Sequence, residues 1–265
     1  MSTPHSNTAT PVVELDHVTV RYGAGNNTVL ALNDVSLSVP RSRFLTILGP
    51  SGCGKSTLLN LVAGFALPTE GSVKVEGQEV IGPSARKGVV FQDSSALFPW
   101  LSVARNIEFG LKANGVPKDE RLARAAAALE LVGLTAFANR YPRELSGGMR
   151  QLTAIARALV LEPPVLLMDE PFAALDAMTR ERMQAQLIEI WVRTGLTIIF
   201  ITHSVDEAIY LGDEVLVMSP RPGTVKARLP IDLDRPRVTT SAAFNALKLE
   251  AIENLQFTPG KADLE

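Results

Sequence analysis

Nine consecutive residues, Gly49-Pro50-Ser51-Gly52-Cys53-Gly54-Lys55-Ser56-Thr57, constrain this chain more than any other stretch. The first eight fit G-x-x-x-x-G-K-[ST], the pattern of a loop that wraps phosphate. Phe44-Leu45-Thr46-Ile47-Leu48 just before it is an apolar run of strand length, and residues 58–63 just after it read as a helix. Glycines let the backbone close around phosphate oxygens, and the amides at a helix N-terminus offer donors and partial positive charge to an anion. Lys55 is placed to reach the terminal phosphates and the Ser56 hydroxyl to ligate Mg²⁺. The alternative is a Gly-rich turn with a surface lysine, and the flanking strand and helix argue against it. Gly49, Gly52 and Gly54 do not form G-x-G-x-x-G, which disfavours a dinucleotide fold.

Composition narrows the class. The 265 residues are 46% hydrophobic and 20% charged, enough for a sizeable core in one large domain or two intimate ones. Net charge is -2, so no basic field points to nucleic acid, and none is expected as a partner. One cysteine excludes an intramolecular disulfide framework and suits a reducing compartment. No apolar run approaches the ~20 residues that span a bilayer. The polar start, Met1 to Ser6, does not read as a secretory signal. A cytosolic chain is expected, and docking on a membrane protein is compatible with that.

Residues 1–11 are rich in Ser, Thr and Pro and are expected to be a disordered tail. Residues 12–22 alternate apolar and polar and predict a strand; residues 30–39 predict a second, and residues 73–77 a short third. An antiparallel β layer is therefore expected around the phosphate loop. Tyr22 ends the first strand, either as a stacking partner for a purine ring or as an ordinary strand aromatic. Residues 88–93 read as another strand, and Gln92 at its end is a candidate metal ligand through its amide oxygen. Phe98-Pro99-Trp100-Leu101 is apolar at a predicted loop, so Trp100 either docks a partner helix or packs under the helices that follow. Residues 103–115 and 118–132 have helical spacing, which predicts an inserted α-helical subdomain from about 94 to 162.

Residues 145–151, Leu-Ser-Gly-Gly-Met-Arg-Gln, close that insertion. Ser146, Gly147 and Gly148 ahead of a helix predicted over 151–160 make a second anion site, a serine hydroxyl with two unhindered amides. Pro163-Pro164 stops the helix. Val165 to Met168 is a run apolar on both faces, as in a parallel sheet, and it ends in Asp169 and Glu170. Acids at the C-terminal end of such a strand lie where open α/β sheets bind ligands. Asp169 suits Mg²⁺ through water, and Glu170 suits activation of an attacking water. A long helix is predicted after Asp176, then a buried strand over 197–201, ended by Thr202 and His203. Ser204 and Glu207 have capping-box spacing. His203 at the same edge is a candidate γ-phosphate contact. A further strand over 214–218, a turn at 220–223 and a short amphipathic helix over 241–255 complete the reading.

In this order the blocks resemble the ATP-binding-cassette ATPases over about residues 12–230. The resemblance implies an α/β P-loop NTPase core with a mixed parallel sheet, an N-terminal antiparallel β subdomain and the helical insertion, within a domain over 12–236 followed by a C-terminal tail over 237–265. It implies ATP bound by Tyr22, Gly49 to Thr57 (Pro50, Ser51, Gly52, Cys53, Gly54, Lys55 and Ser56 between them), Ser146, Gly147, Gly148, Gln151 and Asp176. Mg²⁺ would be held by Ser56, Gln92 and Asp169, and catalysis carried by Glu170, His203, Lys55 and Gln92. It also implies a head-to-tail homodimer with two ATPs between chains, each on the phosphate loop of one chain and the Ser146-Gly147-Gly148 cap of the other.

Residues 88–92, 98–101, 168–176 and 211–223 are similar to the importers of nitrate, sulfonate and taurine. Those serve a membrane permease and an extracytoplasmic solute-binding protein, from the cytoplasmic face of the inner membrane. One departure is visible: Leu152-Thr153 stands where the family usually has an arginine and then a valine. The rival readings are a soluble non-transport cassette ATPase, an unrelated phosphate-loop kinase or GTPase, and a dead structural partner. The chain has no second cassette, coiled coil or basic arm and no Asn-Lys-x-Asp string, and it keeps Lys55, Asp169, Glu170 and His203.

Overall fold

The computed structural model of the chain describes residues 11–23, 25–91 and 97–256. Strand β1 (Val13–Tyr22) runs antiparallel to β2 (Val29–Val39), with Val13 opposite Val39 and Leu15 opposite Leu37. The pairing register keeps Val35, Leu37 and Val39 buried, as their alternation predicts. Strand β3 (Phe44–Leu48) leads into the phosphate loop and helix α1 (Lys55–Ala63). Strands β4 (Glu70–Val75) and β5 (Gln78–Glu79) complete a four-stranded antiparallel sheet, ordered β2-β1-β4-β5.

Strand β6 (Lys87–Val90) opens toward the insertion, which holds α2 (Val103–Ala113), α3 (Lys118–Leu131) and α4 (Gly147–Leu159). Then come β7 (Val165–Asp169), α5 (Ala177–Thr194), β8 (Thr197–Thr202), α6 (Val205–Leu211), β9 (Glu214–Met218), β10 (Val225–Pro230) and α7 (Ala242–Leu255). The second sheet has the order β10-β9-β3-β8-β7-β6 and is parallel except for β10, which pairs antiparallel with β9. This is the expected mixed sheet, with the antiparallel layer and the helical insertion on either side.

The continuous apolar runs of β7 and β8 arise because both faces are covered. Leu166, Met168, Ile198 and Phe200 pack on one side with α5 and the insertion. Val165, Leu167, Ile199 and Ile201 pack on the other with α1 and the antiparallel sheet. Val215 and Val217 of β9 meet α6 and α7 through Ala208, Ile209, Phe244 and Ala251. Parallel pairing brings the C-terminal ends of β3, β7 and β8 level, with Leu48 opposite Thr202 and Asp169 opposite Ile201. The phosphate loop, Glu170 and His203 therefore leave the sheet at one edge, where side chains from distant segments converge.

Several elements differ from their predicted form. Helix α4 begins at Gly147, four residues before 151, because Ser146 caps it by accepting from Met149 N at 3.3 Å. Strand β6 ends at Val90, short of 93, and β4 runs from Glu70 to Val75, because Glu76 and Gly77 both take positive φ in a turn. The capping box at Ser204 is half made. Ser204 Oγ accepts from Glu207 N at 3.3 Å, but the Glu207 carboxylate is engaged by Gln184 and Thr202 instead. Strand β10 has no counterpart in the prediction. Gln92 and the 1–10 and 257–265 parts of the expected tails lie outside the described residues.

Candidate active site

The phosphate loop is set by how closely β2 approaches it. Gly54 takes φ +101 at the start of α1, and a Cβ there would come within 2.6 Å of Leu32 Cδ2. A side chain at this position is excluded by both backbone and space. Lys55 follows and is 6% exposed, its Nζ donating to Gly49 O at 2.7 Å and Pro50 O at 3.0 Å. The loop thus holds its own cation in place before any anion arrives. Cys53 is buried in the apolar cluster around α1, and that burial pushes its thiol above the usual range.

Tyr22 from β1, Val29 and Ala31 from β2, and Ser51, Gly52, Gly54, Ser56 and Thr57 border a cavity of about 320 Å³. Glu170 and Arg221 close it. The Tyr22 ring is half exposed at the rim, so the strand end presents an aromatic face beside the phosphate loop. Arg221, in the turn after β9, escaped the sequence reading. That turn is tied to β2 by Asn33 N donating to Gly223 O at 3.0 Å and Gly223 N to Ala31 O at 2.9 Å. Its only sequence signal was Pro-Arg-Pro-Gly, which marks a turn but not its neighbour.

Asp169 and Glu170 sit side by side with different surroundings. The Asp169 carboxyl is raised above the ordinary range, chiefly by burial and further by the Glu170 charge. A hydrogen bond with Ser56 and the Lys55 charge oppose this. Glu170 adopts φ +45, a strained conformation for a non-glycine residue, and its N–H donates to Ile201 O at 3.0 Å. His203 Nδ1 lies 3.1 Å from Glu170 Oε2, and the imidazole is otherwise exposed. A cation, a hydroxyl, two carboxylates and an imidazole therefore meet beside an anion-sized loop, the equipment for positioning phosphate and a water nucleophile.

The remaining candidates lie elsewhere. Ser146, Gly147, Gly148, Gln151 and Asp176 do not border the cavity. Ser146 is exposed at the start of α4. Gly148 is buried, and a Cβ on it would meet Thr179 Cγ2 at 3.1 Å and Met183 Sδ at 3.3 Å, so α4 and α5 approach closely behind the cap. Asp176 caps α5 by accepting from Thr179 N at 3.0 Å, and hydrogen bonding with the Thr179 hydroxyl first, then with this backbone N–H, lowers its carboxyl. Gln151 is 2% exposed, and its amide nitrogen has no partner among the described residues, so it does not reach the surface where Ser146 lies. Sequence placed it with the cap, and the helical turn carries it inward. The unusual Leu152-Thr153 pair is also buried, Thr153 Oγ1 donating to Met149 O at 2.8 Å.

Phosphate loop, adjacent acids and histidine on a parallel sheet, with a helical insertion ended by a serine-capped helix, define a P-loop ATPase of the cassette type. A family described as ABC transporter matches residues 32–173. The chain is 52% identical over 233 residues to the taurine import ATP-binding protein TauB of Rhizobium johnstonii, covering 88% of each. It is 47% identical over 252 residues to MJ0412 of Methanocaldococcus jannaschii, an uncharacterized ABC transporter ATP-binding protein, covering 92% of this chain and 94% of the other. Among solved structures, the post-hydrolysis dimer of the cassette MJ0796 with ADP and Pi matches at TM-score 0.70 and 32% identity, over 84% of this chain and 100% of that one. cbiO1 of Clostridium perfringens, part of the transporter complex cbiONQ, matches at TM-score 0.76 and 31% identity, over 84% and 89%. The chain belongs to the ABC transporter family: it is an ABC ATPase and binds ATP.

Proposed function

We propose that this chain is the ATP-hydrolysing subunit of an importer. It couples the closing of a head-to-tail dimer over two ATPs to uptake of a small oxyanion-type solute, of the taurine, sulfonate or nitrate class. The solute passes through a separate permease supplied by an extracytoplasmic solute-binding protein, and the chain sits at the cytoplasmic face of the cell membrane. The observation that carries the dimer is the separation of two anion-binding ends on one chain. The cavity at Lys55 and the cap at Ser146 do not share a wall, which supports a reading in which a second copy brings its cap to each loop. The taurine import relatives support the importer and the solute class. No helix among the described residues is long and apolar enough to cross a membrane, which fits a separate permease.

In this reading the phosphate oxygens meet the loop amides and Lys55 Nζ, which leaves Gly49 O and Pro50 O to reach them. Tyr22 stacks on the adenine. Asp169 and Ser56 fit Mg²⁺: a carboxyl hydrogen-bonded to a hydroxyl beside the phosphate loop is a pair of oxygen donors of the kind that a hard cation takes. No group of three or more acidic, His or Cys side chains among the described residues forms a metal cage, as suits an ion held largely by phosphate and water. Mg²⁺ held there would supply charge neutralisation at the phosphate oxygens, and Gln92 is proposed as a further ligand. Glu170 accepts the proton of the attacking water, and His203, held on Glu170 Oε2, faces the γ-phosphate. From the partner copy, Ser146, Gly147 and Gly148 supply donors, and Asp176 lies next to them.

Lys55→Ala removes the charge-assisted phosphate contact. It is expected to abolish turnover in a colorimetric phosphate assay while melting as a folded protein; wild-type turnover would refute the site. For the permease, a groove of about 900 Å³ between α2 and α3 is bordered by Trp100, Phe109 and Leu122. Trp100 is 71% exposed, so it does not pack under the insertion. With chain and permease reconstituted in vesicles, Trp100→Ala is expected to lower ATP-driven uptake more than basal ATP hydrolysis. Equal loss of both would remove Trp100 from the dock.

A further inference from the structure

Glu207 is 7% exposed, and among the described residues its carboxylate makes no ion pair. A buried carboxylate is costly without partners, so the donors it does have define its role. Thr202 Oγ1 donates to Glu207 Oε2 at 2.5 Å, and Gln184 Nε2 donates to Glu207 Oε1 at 2.9 Å. Each oxygen is thus claimed by a different element, β8 and α5. Thr202 Oγ1 also accepts from Ser204 N at 3.0 Å. The backbone on both sides of His203 is therefore bridged through one hydroxyl, and Glu207 fixes that hydroxyl.

The consequences run in two directions. Toward the cavity, the bridged turn sets His203, whose Nδ1 lies 3.1 Å from Glu170 Oε2. Glu170 hangs on the same strand, because its N–H donates to Ile201 O. Away from the cavity, Gln184 belongs to α5, which Asp176 caps and which carries Thr179 and Met183 against Gly148. One carboxylate thus joins the turn at the cavity to the helix that backs the Ser146 cap.

We propose that Glu207 is a positioning residue for ATP hydrolysis: through Thr202 it sets His203 against Glu170, and through Gln184 it references that turn to the helix behind the Ser146 cap. The inference rests on the reading of His203 and Glu170 given above. It assigns Glu207 no contact with ATP; its effect passes through His203.

The test measures turnover, KM for ATP and melting temperature of the full chain, in the wild-type and the His203→Ala backgrounds. Glu207→Leu fills the space without an acceptor, and Thr202→Val keeps shape without the hydroxyl. Each is expected to lower kcat about 10–100-fold, the range for displaced supporting groups, with KM unchanged. Glu207→Gln is expected to restore most turnover, because its carbonyl still accepts from Thr202 and the Gln184 amide can turn to accept from its NH₂. In the His203→Ala background neither Glu207→Leu nor Thr202→Val is expected to cost anything further. The same fractional loss in that background, an effect on KM alone, or full turnover in both variants would overturn the inference. If Glu207→Leu does not fold, the isosteric Thr202→Val decides. A His203→Ala chain with full turnover would overturn the underlying reading of the site, and this inference with it.

Discussion

Cys53 sits inside the phosphate loop yet does its packing elsewhere. Its side chain belongs to the apolar cluster around α1, and its backbone faces the loop's interior through Cys53 N donating to Pro50 O at 3.4 Å. Cys53→Ser is expected to keep most ATP turnover while lowering stability by about 1–3 kcal/mol, since a hydroxyl replaces a thiol in an apolar site. Burial raises the thiol, so at any given pH less of it is thiolate than in an exposed cysteine. Alkylation is therefore expected to be slower than that of a free thiol at neutral pH, to speed up as pH rises, and to be blocked by ATP. A well-folded Cys53→Ser chain without turnover would show that the sulfur itself is needed. The residues legible in the sequence, Lys55, Ser56, Asp169, Glu170 and His203, carry a fixed motif or lie at the end of an apolar strand. Arg221, Asn106 and Glu207 were not legible, because their roles depend on partners brought together only by the fold. The positive φ of Glu170 has no sequence signal at all.

Helix α2 carries a polar residue where its packing face should be apolar. Asn106 is fully buried, and its amide spans the Phe98–Leu101 turn. Phe98 N donates to Asn106 Oδ1 at 2.8 Å, while Asn106 Nδ2 donates to Phe98 O at 3.1 Å, Leu101 O at 3.0 Å and Ser102 O at 3.1 Å. This lock holds the loop with Leu97 buried and Trp100 outside. Asn106→Leu leaves those backbone groups without their partner, a cost of about 1–3 kcal/mol for each group left dry. The melting temperature is expected to fall by about 2–4 °C per kcal/mol lost, with Trp100 emission altered as the loop loosens. An unchanged melting temperature would mean that water replaces the amide. Period-two alternation made β1 and β2 readable because each buries one whole face, and unbroken apolar runs made β7 and β8 readable because both of their faces are covered. Strand β10 was hidden for the opposite reason: Lys226 and Arg228 project from a half-exposed edge strand, whose pairing with β9 no local pattern announces. The start of α4 was misplaced because two glycines are poor helix formers, and only the Ser146 cap and the packing on α5 hold them helical.

Across the whole chain, parallel strands deliver the loop, the acids and the histidine to one edge, while the insertion carries the Ser146 cap to a surface of its own. In the proposed dimer each chain offers one phosphate-loop cavity and one Ser146 cap, and the cap serves the cavity of a second copy. Glu170→Gln separates binding from hydrolysis in that arrangement. Glutamine keeps the shape beside His203 but cannot take the proton of the attacking water, a contribution of typically about 10²–10⁴-fold in rate. It also removes a negative charge next to the phosphates, so ATP binding is expected to hold or tighten. With hydrolysis blocked, ATP is expected to keep the loop around Gly54 of one copy joined to the Gly148 cap of the other in the proposed dimer. The variant is therefore expected to accumulate as a dimer on size-exclusion chromatography with ATP and to run as a smaller species without it, while wild type returns to open forms as it hydrolyses. Normal turnover in Glu170→Gln would show that another group is the base. A variant that fails to hydrolyse yet stays monomeric at saturating ATP would leave the base in place and remove the sandwich.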